Sequence, residues 1–333
     1  MRRSDHLERL PQACDVLVVG GGATGLGVAV DSASRGYSTV LLEARDFAQG
    51  TSSTSTNLIH GGVRYLKQGN IALVRSALRE RGTVSRNAPH LVSELRLLLP
   101  TYAWWEKPFY GVGLKLYDAI AGPHGFARSS VVDATTAISM VPTIRPERLR
   151  GGVVFSDAQF NDTRLATCLA KTAHELGAIL LNHARVVGLT KEGEKITGVL
   201  FVDFESGHER VVKARAVINA TGATADTVRR MDEPKTEDLM VASQGTHLVL
   251  PPDFLGGSTG VLVPRTKDGR LCFVFPWQGY TLLGTTDVPV PSPTVEPIAT
   301  DEEIDFLLES AGDYLSKPPS RADVLSGFSG LRP

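Results

Sequence analysis

The chain has 333 residues, 42% apolar and 21% charged, with a formal net charge of −1. That length accommodates two domains or one large two-part unit, and that composition describes a globular protein with ample core. A near-zero charge without a basic run argues against nucleic acid as a partner, and no apolar run reaches the roughly 18 residues of a spanning helix.

The leader, residues 1–11, carries Arg2, Arg3 and Arg9 but also Asp5 and Glu8, too short and too acidic a stretch to be read as a transit peptide. Residues 14–19 predict a buried strand, 24–35 a helix stopped by Gly36, and 38–42 a second strand. Between the first two, Gly20, Gly22 and Gly25 fit G-x-G-x-x-G, and Glu43 lies 18 residues beyond Gly25. This is a dinucleotide-binding pattern. The first glycine makes the turn, the second lets backbone approach a pyrophosphate, and the third lets helix and strand pack closely. The diphosphate then rests on free N–H groups at the positive end of a helix, and the acid grips a ribose. An acid at position 43 favours FAD or NAD over NADP.

Residues 51–57 form a hydroxyl-rich stretch whose plain reading is a solvated linker. Residues 71–86 predict a helix. Residues 101–122 are aromatic and punctuated by Gly and Pro, with Trp104, Trp105, Phe109, Tyr110 and Tyr117. They suit core packing or a membrane interface, where aromatic rings are favoured. Asn161 or Asp162 is expected to cap a helix ended by Gly177. A strand at 179–181, an antiparallel excursion from Val186 to Val212, and a buried parallel strand from 216 into the Asn219-Ala-Thr-Gly222 turn follow. From 245 to 286 the pattern is β, and Thr300-x-x-Glu303 is a capping box opening a last helix. Cys14, Cys168 and Cys272 are far apart with no CxxC pair, so they read as core residues in a reducing compartment, not as zinc ligands or disulfide partners. No metal site is expected.

A β-rich region between halves of a dinucleotide fold separates flavoprotein oxidoreductases from simple NAD dehydrogenases. The expected fold is α/β: a Rossmann-like FAD-binding domain of the D-amino-acid-oxidase or glutathione-reductase type, with an inserted β-rich substrate domain. The FAD domain is placed at 12–95 with 151–243 and 326–333, and the substrate domain at 96–150 with 244–325.

Further strings stand in order along the chain: Thr51-Ser-Ser-Thr-Ser55, Leu58-Ile-His-Gly-Gly-Val-Arg-Tyr-Leu66, Ala88-Pro-His-Leu91, Asn219-Ala-Thr-Gly222, Gly284-Thr-Thr-Asp287 and Ser329-Gly-Leu-Arg-Pro333. Together they resemble the FAD-dependent glycerol-3-phosphate dehydrogenases, over residues 15–333. Trp104-Trp105 through Leu114-Lys-Leu-Tyr-Asp118 and Ala121-Gly122 is more similar to the mitochondrial, quinone-linked type than to the short bacterial type.

The resemblance implies oxidation of sn-glycerol 3-phosphate to dihydroxyacetone phosphate, with hydride passing to FAD and electrons to a quinone. It implies that Gly20, Gly22, Gly25 and Glu43 bind the adenosine and diphosphate end of FAD, and that Ser52 and Ser53 reach the diphosphate or ribityl chain. His60, Gly61 and Gly62 would pass the isoalloxazine, Val186 would contact adenine by backbone, and Gly222 would lie against the cofactor. Arg64 and Arg332, with Tyr65, would hold the substrate. His247, with Arg332, would serve at the reacting carbon, where a histidine titrating near neutrality suits a general base. Asp287 reads as a turn acid or a domain anchor. The implied partners are glycerol 3-phosphate, a quinone and a membrane surface, with a homodimer left open. The location would be peripheral on a respiratory membrane: mitochondrial in a eukaryote, the cytoplasmic membrane in a bacterium.

Two departures stand out. Asn57 replaces the lysine of relatives, and the family's later GGK-x-TTY motif has no match, so Pro333 reads as a truncation. Two other readings stay open: another FAD-dependent amino-acid or 2-hydroxy-acid oxidase, and a non-catalytic fragment of such an enzyme.

Overall fold

The computed structural model describes residues 2–67, 69–291, 293–294 and 296–333, without the side chains of Arg64 and Lys67. Two sheets organise it. The first runs, in spatial order, Ile179–Leu181, Thr39–Leu42, Ala13–Val19, Glu209–Asn219, Lys195–Asp203 and Ala184–Glu192. The first four strands are parallel, and every residue of Thr39–Leu42 and Ile179–Leu181 is buried, as strands covered on both faces require. Strand Glu209–Asn219 serves two partners. Its first half pairs antiparallel with Lys195–Asp203, and its second half runs parallel to Ala13–Val19, with Val18 opposite Ile218.

Helices Ala23–Ser34 and Asp162–Glu175 cover one face of this sheet. They meet through Ala29, Ala33, Ala166, Ala170 and Ala173, whose small side chains permit close approach. The other face buries Leu17, Val40, Leu42, Val186 and Phe201.

The second sheet has ten strands and takes in the β pattern of residues 245–286. Its path runs Val288–Pro289, Ser243–Leu250, Tyr280–Gly284, Cys272–Trp277, Gly260–Val263, Ser93–Pro100, Gly152–Gln159 and Leu58–Ile59. Strand Ser326–Arg332 adds to Ser243–Leu250, placing Gly330 opposite Gly245 and Phe328 opposite His247. Helix Asp301–Gly312 packs on one face, opened by the Thr300–Glu303 capping box. Helices Ile71–Asn87 and Glu106–Ala121 pack on the other.

Residues 101–122 differ from the core-packing expectation. Helix Glu106–Ala121 buries Gly111, Leu114, Tyr117 and Ala121 but leaves Phe109 53% exposed, and just before it Trp104 is 76% exposed and Trp105 is exposed as well. Only one stripe of the helix reaches the core. Cys14 and Cys272 are buried, and burial pushes their thiols up to about 11 and about 12. Cys168 is only half-buried, 3.8 Å from His90 Nε2. Among the described residues no helix is long and apolar enough to cross a membrane.

Candidate active site

The glycine turn is built by steric demand. Gly20 has φ +110°, and a Cβ there would lie 2.5 Å from the Ala220 carbonyl oxygen. The Asn219–Gly222 turn therefore presses against it. A Cβ on Gly25 would run into the Gly20 carbonyl oxygen, so the helix can pack on the turn only without one. Gly22 differs: its Cβ would meet nothing nearer than Ser52 Oγ at 3.4 Å. Gly222, at φ +55°, has nothing within 4 Å. Both leave open space at the start of helix Ala23–Ser34, whose N-cap, Gly22, supplies no side chain. This cradle fits a diphosphate.

Glu43 reaches the same turn and accepts from Gly21 N at 2.6 Å and from Arg45 N at 2.8 Å. Ser52 Oγ accepts from Ala23 N at 2.9 Å. The Ser53 hydroxyl instead bonds the Gly50 carbonyl. Val186 is buried on strand Ala184–Glu192, whose first N–H donates to Glu43 O at 2.8 Å. Gly20, Gly22, Gly25, Glu43, Ser52 and Gly222 thus converge. Residues 51–57 are not a solvated linker: Thr51 donates to Leu331 O at 2.6 Å, and Ser55 donates to Asp162.

A cavity of about 230 Å³ is lined by Thr56, His60, Gly62, Tyr65, Asp157 and Arg332, among others. His60 stacks on Phe273 at 6.4 Å. Gly61 lies against the wall, where a Cβ would collide with the Tyr117 hydroxyl and Leu78, and its N–H donates to Asp157 Oδ1 at 3.2 Å. Gly62 has φ +74°. Behind them Asp157 takes a buried ion pair from Arg81 Nη1 at 2.5 Å and a hydrogen bond from the Tyr117 hydroxyl at 3.2 Å. Burial pushes the Asp157 carboxyl above its ordinary range, while the Arg81 guanidinium pulls the other way. Arg64 lies in the short helix Val63–Lys67 beside this cavity, and its side chain is outside the described residues.

His247 does not line the cavity. It is 2% exposed, stacks on Phe328 at 4.9 Å, and places Nε2 2.9 Å from the Thr56 hydroxyl. Nδ1 has no partner among the described residues. Burial, and secondly the Arg332 charge, lower its pKa to about 3, well away from the near-neutral value that base chemistry would suggest. At neutral pH the ring is therefore uncharged, and burial with the Arg332 charge makes it a weak base.

Arg332 donates from Nη1 to Asp287 Oδ1 at 2.8 Å, and Asp287 also faces Arg270 Nη1 at 3.5 Å. Asp287 is thus the partner of the cavity's arginine. Sequence reasoning missed Thr56, Asp157 and Arg81. Thr56 sits in the hydroxyl run without a distinguishing signal. A lone Asp and Arg 76 residues apart carry none either.

A larger, mostly apolar cavity of about 940 Å³ adjoins the first and shares Val63, Leu262 and Leu271 with it. Phe109, Val112 and Leu116 of helix Glu106–Ala121 line its far side, and Arg270 and Asp287 its polar end.

The mitochondrial glycerol-3-phosphate dehydrogenase of Schizosaccharomyces pombe is 42% identical over 96% of the chain and 52% of its own length. The mitochondrial enzyme of Bos taurus is 43% identical over 96% of the chain and 46% of its own length. The chain thus spans about half the length of the curated relatives it matches. The crystal structure of glycerol-3-phosphate dehydrogenase from Bacillus halodurans, complexed with FAD, superposes with a TM-score of 0.82 at 30% identity, covering 99% of this chain and 59% of that one. The FAD dependent oxidoreductase family matches residues 15–333, and the chain belongs to that family, whose cofactor is FAD.

Proposed function

We propose that the chain is the flavin- and substrate-binding part of a glycerol-3-phosphate dehydrogenase, oxidising sn-glycerol 3-phosphate to dihydroxyacetone phosphate. One observation carries the reading: a small cavity gathers Arg332, Tyr65, His60 and Gly62 around a hydroxyl, Thr56, that is bonded to a buried neutral imidazole. The 42–43% identity to enzymes named for that activity supports the choice of substrate.

FAD would be held by Gly20, Gly22, Gly25, Glu43, Ser52, Ser53, Val186 and Gly222, with His60, Gly61 and Gly62 near its flavin end, and when bound would supply the hydride acceptor. The protein does the rest. Arg332 and Arg64 hold the phosphate dianion with planar donor forks, beside Tyr65. Thr56 takes the proton of the substrate's secondary hydroxyl as it gives its own to His247 Nε2. The bound dianion offsets the Arg332 charge, removing one of the two causes that keep the imidazole from accepting a proton.

The acceptor of the electrons would be a quinone at a membrane surface. The apolar 940 Å³ cavity beside the site supports a lipid-soluble acceptor, and the exposed Trp104, Trp105 and Phe109 support contact with lipid. The relatives' mitochondrial naming supports that compartment. Because a guanidinium also grips carboxylates, an amino-acid or 2-hydroxy-acid oxidase is the second reading.

The test is the visible spectrum of the purified protein, without oxygen, before and after glycerol 3-phosphate. A flavin band that bleaches supports the reading. A band that bleaches only with an amino acid or 2-hydroxy acid supports the second. Absence of flavin means that these residues do not form a working site by themselves.

A further inference from the structure

One buried acid lies outside the chemistry above. Glu303, in the first turn of helix Asp301–Gly312, is 4% exposed and has no cationic partner among the described residues. Neutral donors alone hold its carboxylate. Oε1 accepts from the Thr246 hydroxyl at 2.9 Å and the Thr286 hydroxyl at 2.6 Å. Oε2 accepts from Gln244 Nε2 at 2.7 Å and from Thr300 N at 3.1 Å. A helix cap needs only the last of these.

The other three donors sit on segments that carry the proposed chemistry. Along strand Ser243–Leu250, Gln244 and Thr246 alternate with Gly245 and His247, so the two pairs face opposite sides of the sheet. Gly245 backs the Arg332 guanidinium, with a Cβ position 3.2 Å from Nη2, and His247 backs Thr56. Thr286 precedes Asp287, the partner of Arg332. Thr246 also bonds Ser329 Oγ at 2.7 Å, on the strand that ends at Arg332. From behind the sheet, one carboxylate ties together the strand of His247, the turn of Asp287 and the strand of Arg332.

We infer that Glu303 is a positioning residue for the anion-binding arginine and the buried imidazole. The inference rests on the roles given above to Arg332 and His247. Glu303→Gln keeps the volume but turns an N–H₂ toward groups that are already donors, so the three segments lose their common anchor.

The test compares flavin-loaded wild type, Glu303→Gln and Thr300→Ala. Thr300→Ala removes the cap hydroxyl of the same helix and leaves the bonds to Gln244, Thr246 and Thr286. Melting temperature, KM and kcat for glycerol 3-phosphate, and the dissociation constant of inorganic phosphate read from the flavin spectrum are measured. Both variants lower the melting temperature, but only Glu303→Gln raises KM and the phosphate constant, by about ten-fold. Equal changes in both variants, or wild-type phosphate binding in Glu303→Gln, overturn the inference and leave Glu303 a cap. A wild type that holds flavin but is not reduced by glycerol 3-phosphate overturns the functional reading instead, and the phosphate titration still decides the role of Glu303.

Discussion

Thr56 Oγ1 lies 2.9 Å from His247 Nε2, which makes a cavity-lining hydroxyl and an imidazole buried behind it one hydrogen-bonded pair. In the proposed reaction Thr56 contacts the substrate hydroxyl and His247 behind it receives the proton that Thr56 gives up. Thr56→Val, which keeps the shape and removes the hydroxyl, is expected to lower kcat by about 10²–10⁴-fold, the range of general acid–base catalysis. Thr56→Ser should recover most of it, and flavin should remain bound in both. Rapid-mixing reduction of the flavin by glycerol 3-phosphate reads this directly. Wild-type reduction in Thr56→Val would remove the relay.

Arg332, proposed above to hold the substrate phosphate, carries a different prediction. Arg332→Ala should raise KM about ten-fold or more, since a hydrogen bond to a charged group contributes about 1.5–3 kcal/mol. Flavin content should not change, because the Arg332 guanidinium bonds Asp287 and, among the described residues, makes no bond to the glycine turn. Arg64→Ala should do the same if the two arginines share the phosphate. An unchanged KM in either variant takes that residue out of the site.

Acid should weaken the fold through its histidines. The pKa of His247 falls from 6.5 to about 3 and that of His6 to about 4 on folding, both first by burial. Between pH 6.5 and those values the unfolded chain binds protons that the folded chain does not, so stability falls as pH drops through this window. Asp162 has the opposite sign. Burial raises its carboxyl from 3.8 to about 7, so the folded state binds the extra proton and stability falls as pH rises between those values. The buried Asp157, whose carboxyl is also raised, adds to the side of Asp162, so the single variants read the signs. Between pH 6.5 and pH 4.5, Asp162→Asn should make the melting temperature fall more, or rise less, than in wild type, and His247→Asn should do the reverse. A His247→Asn melting profile parallel to wild type over this range would contradict the lowered pKa of that ring.

The glycine turn, the approach of Glu43 to it and the capping box were legible because each is local: backbone sterics and spacing fix them within a few tens of residues. The ten-stranded sheet was legible only as a β pattern, since its order joins Gly260–Val263 to Ser93–Pro100 across more than a hundred residues of chain. The same limit hid Thr56. Its proposed role rests on strand Ser243–Leu250 bringing His247 behind it, and nothing in a run of hydroxyls marks one of them for that contact. The Trp104–Tyr117 stretch was ambiguous for another reason. Its helix has apolar residues on both faces, and only the tertiary packing decides which face is buried.

Two glycines in one helix separate steric need from propensity. At Gly25 an added Cβ meets the Gly20 carbonyl oxygen, whereas at Gly27 it meets nothing within 4 Å. Gly25→Ala must push the helix off the turn, at a cost of about 1–3 kcal/mol or more because the obstacle is backbone. Gly27→Ala should stabilise by roughly 0.5–1 kcal/mol, since a helix-interior glycine is less favourable than alanine by that amount. Chemical denaturation with flavin absorbance as a second readout distinguishes them. Gly25→Ala should lose flavin and Gly27→Ala should keep it; equal behaviour would mean that the close approach at Gly25 is not required.

Membrane contact is proposed for one face of helix Glu106–Ala121 and the residues just before it. Trp105, Phe109, Val112 and Leu116 are exposed at helical spacing, and the last three also line the apolar cavity. Burying such a stripe at a lipid interface relieves exposed apolar surface and opens the cavity toward lipid rather than water. Replacing Trp104 and Trp105 by Ser should therefore weaken co-sedimentation with neutral phosphatidylcholine vesicles, and added salt should not restore or further reduce it. Flavin reduction by glycerol 3-phosphate should stay as in wild type, because neither tryptophan lines the smaller cavity. Vesicle partitioning that matches wild type would place membrane contact elsewhere. Partitioning that disappears on adding salt would assign it to charge, leaving the exposed aromatic face without a role in lipid binding.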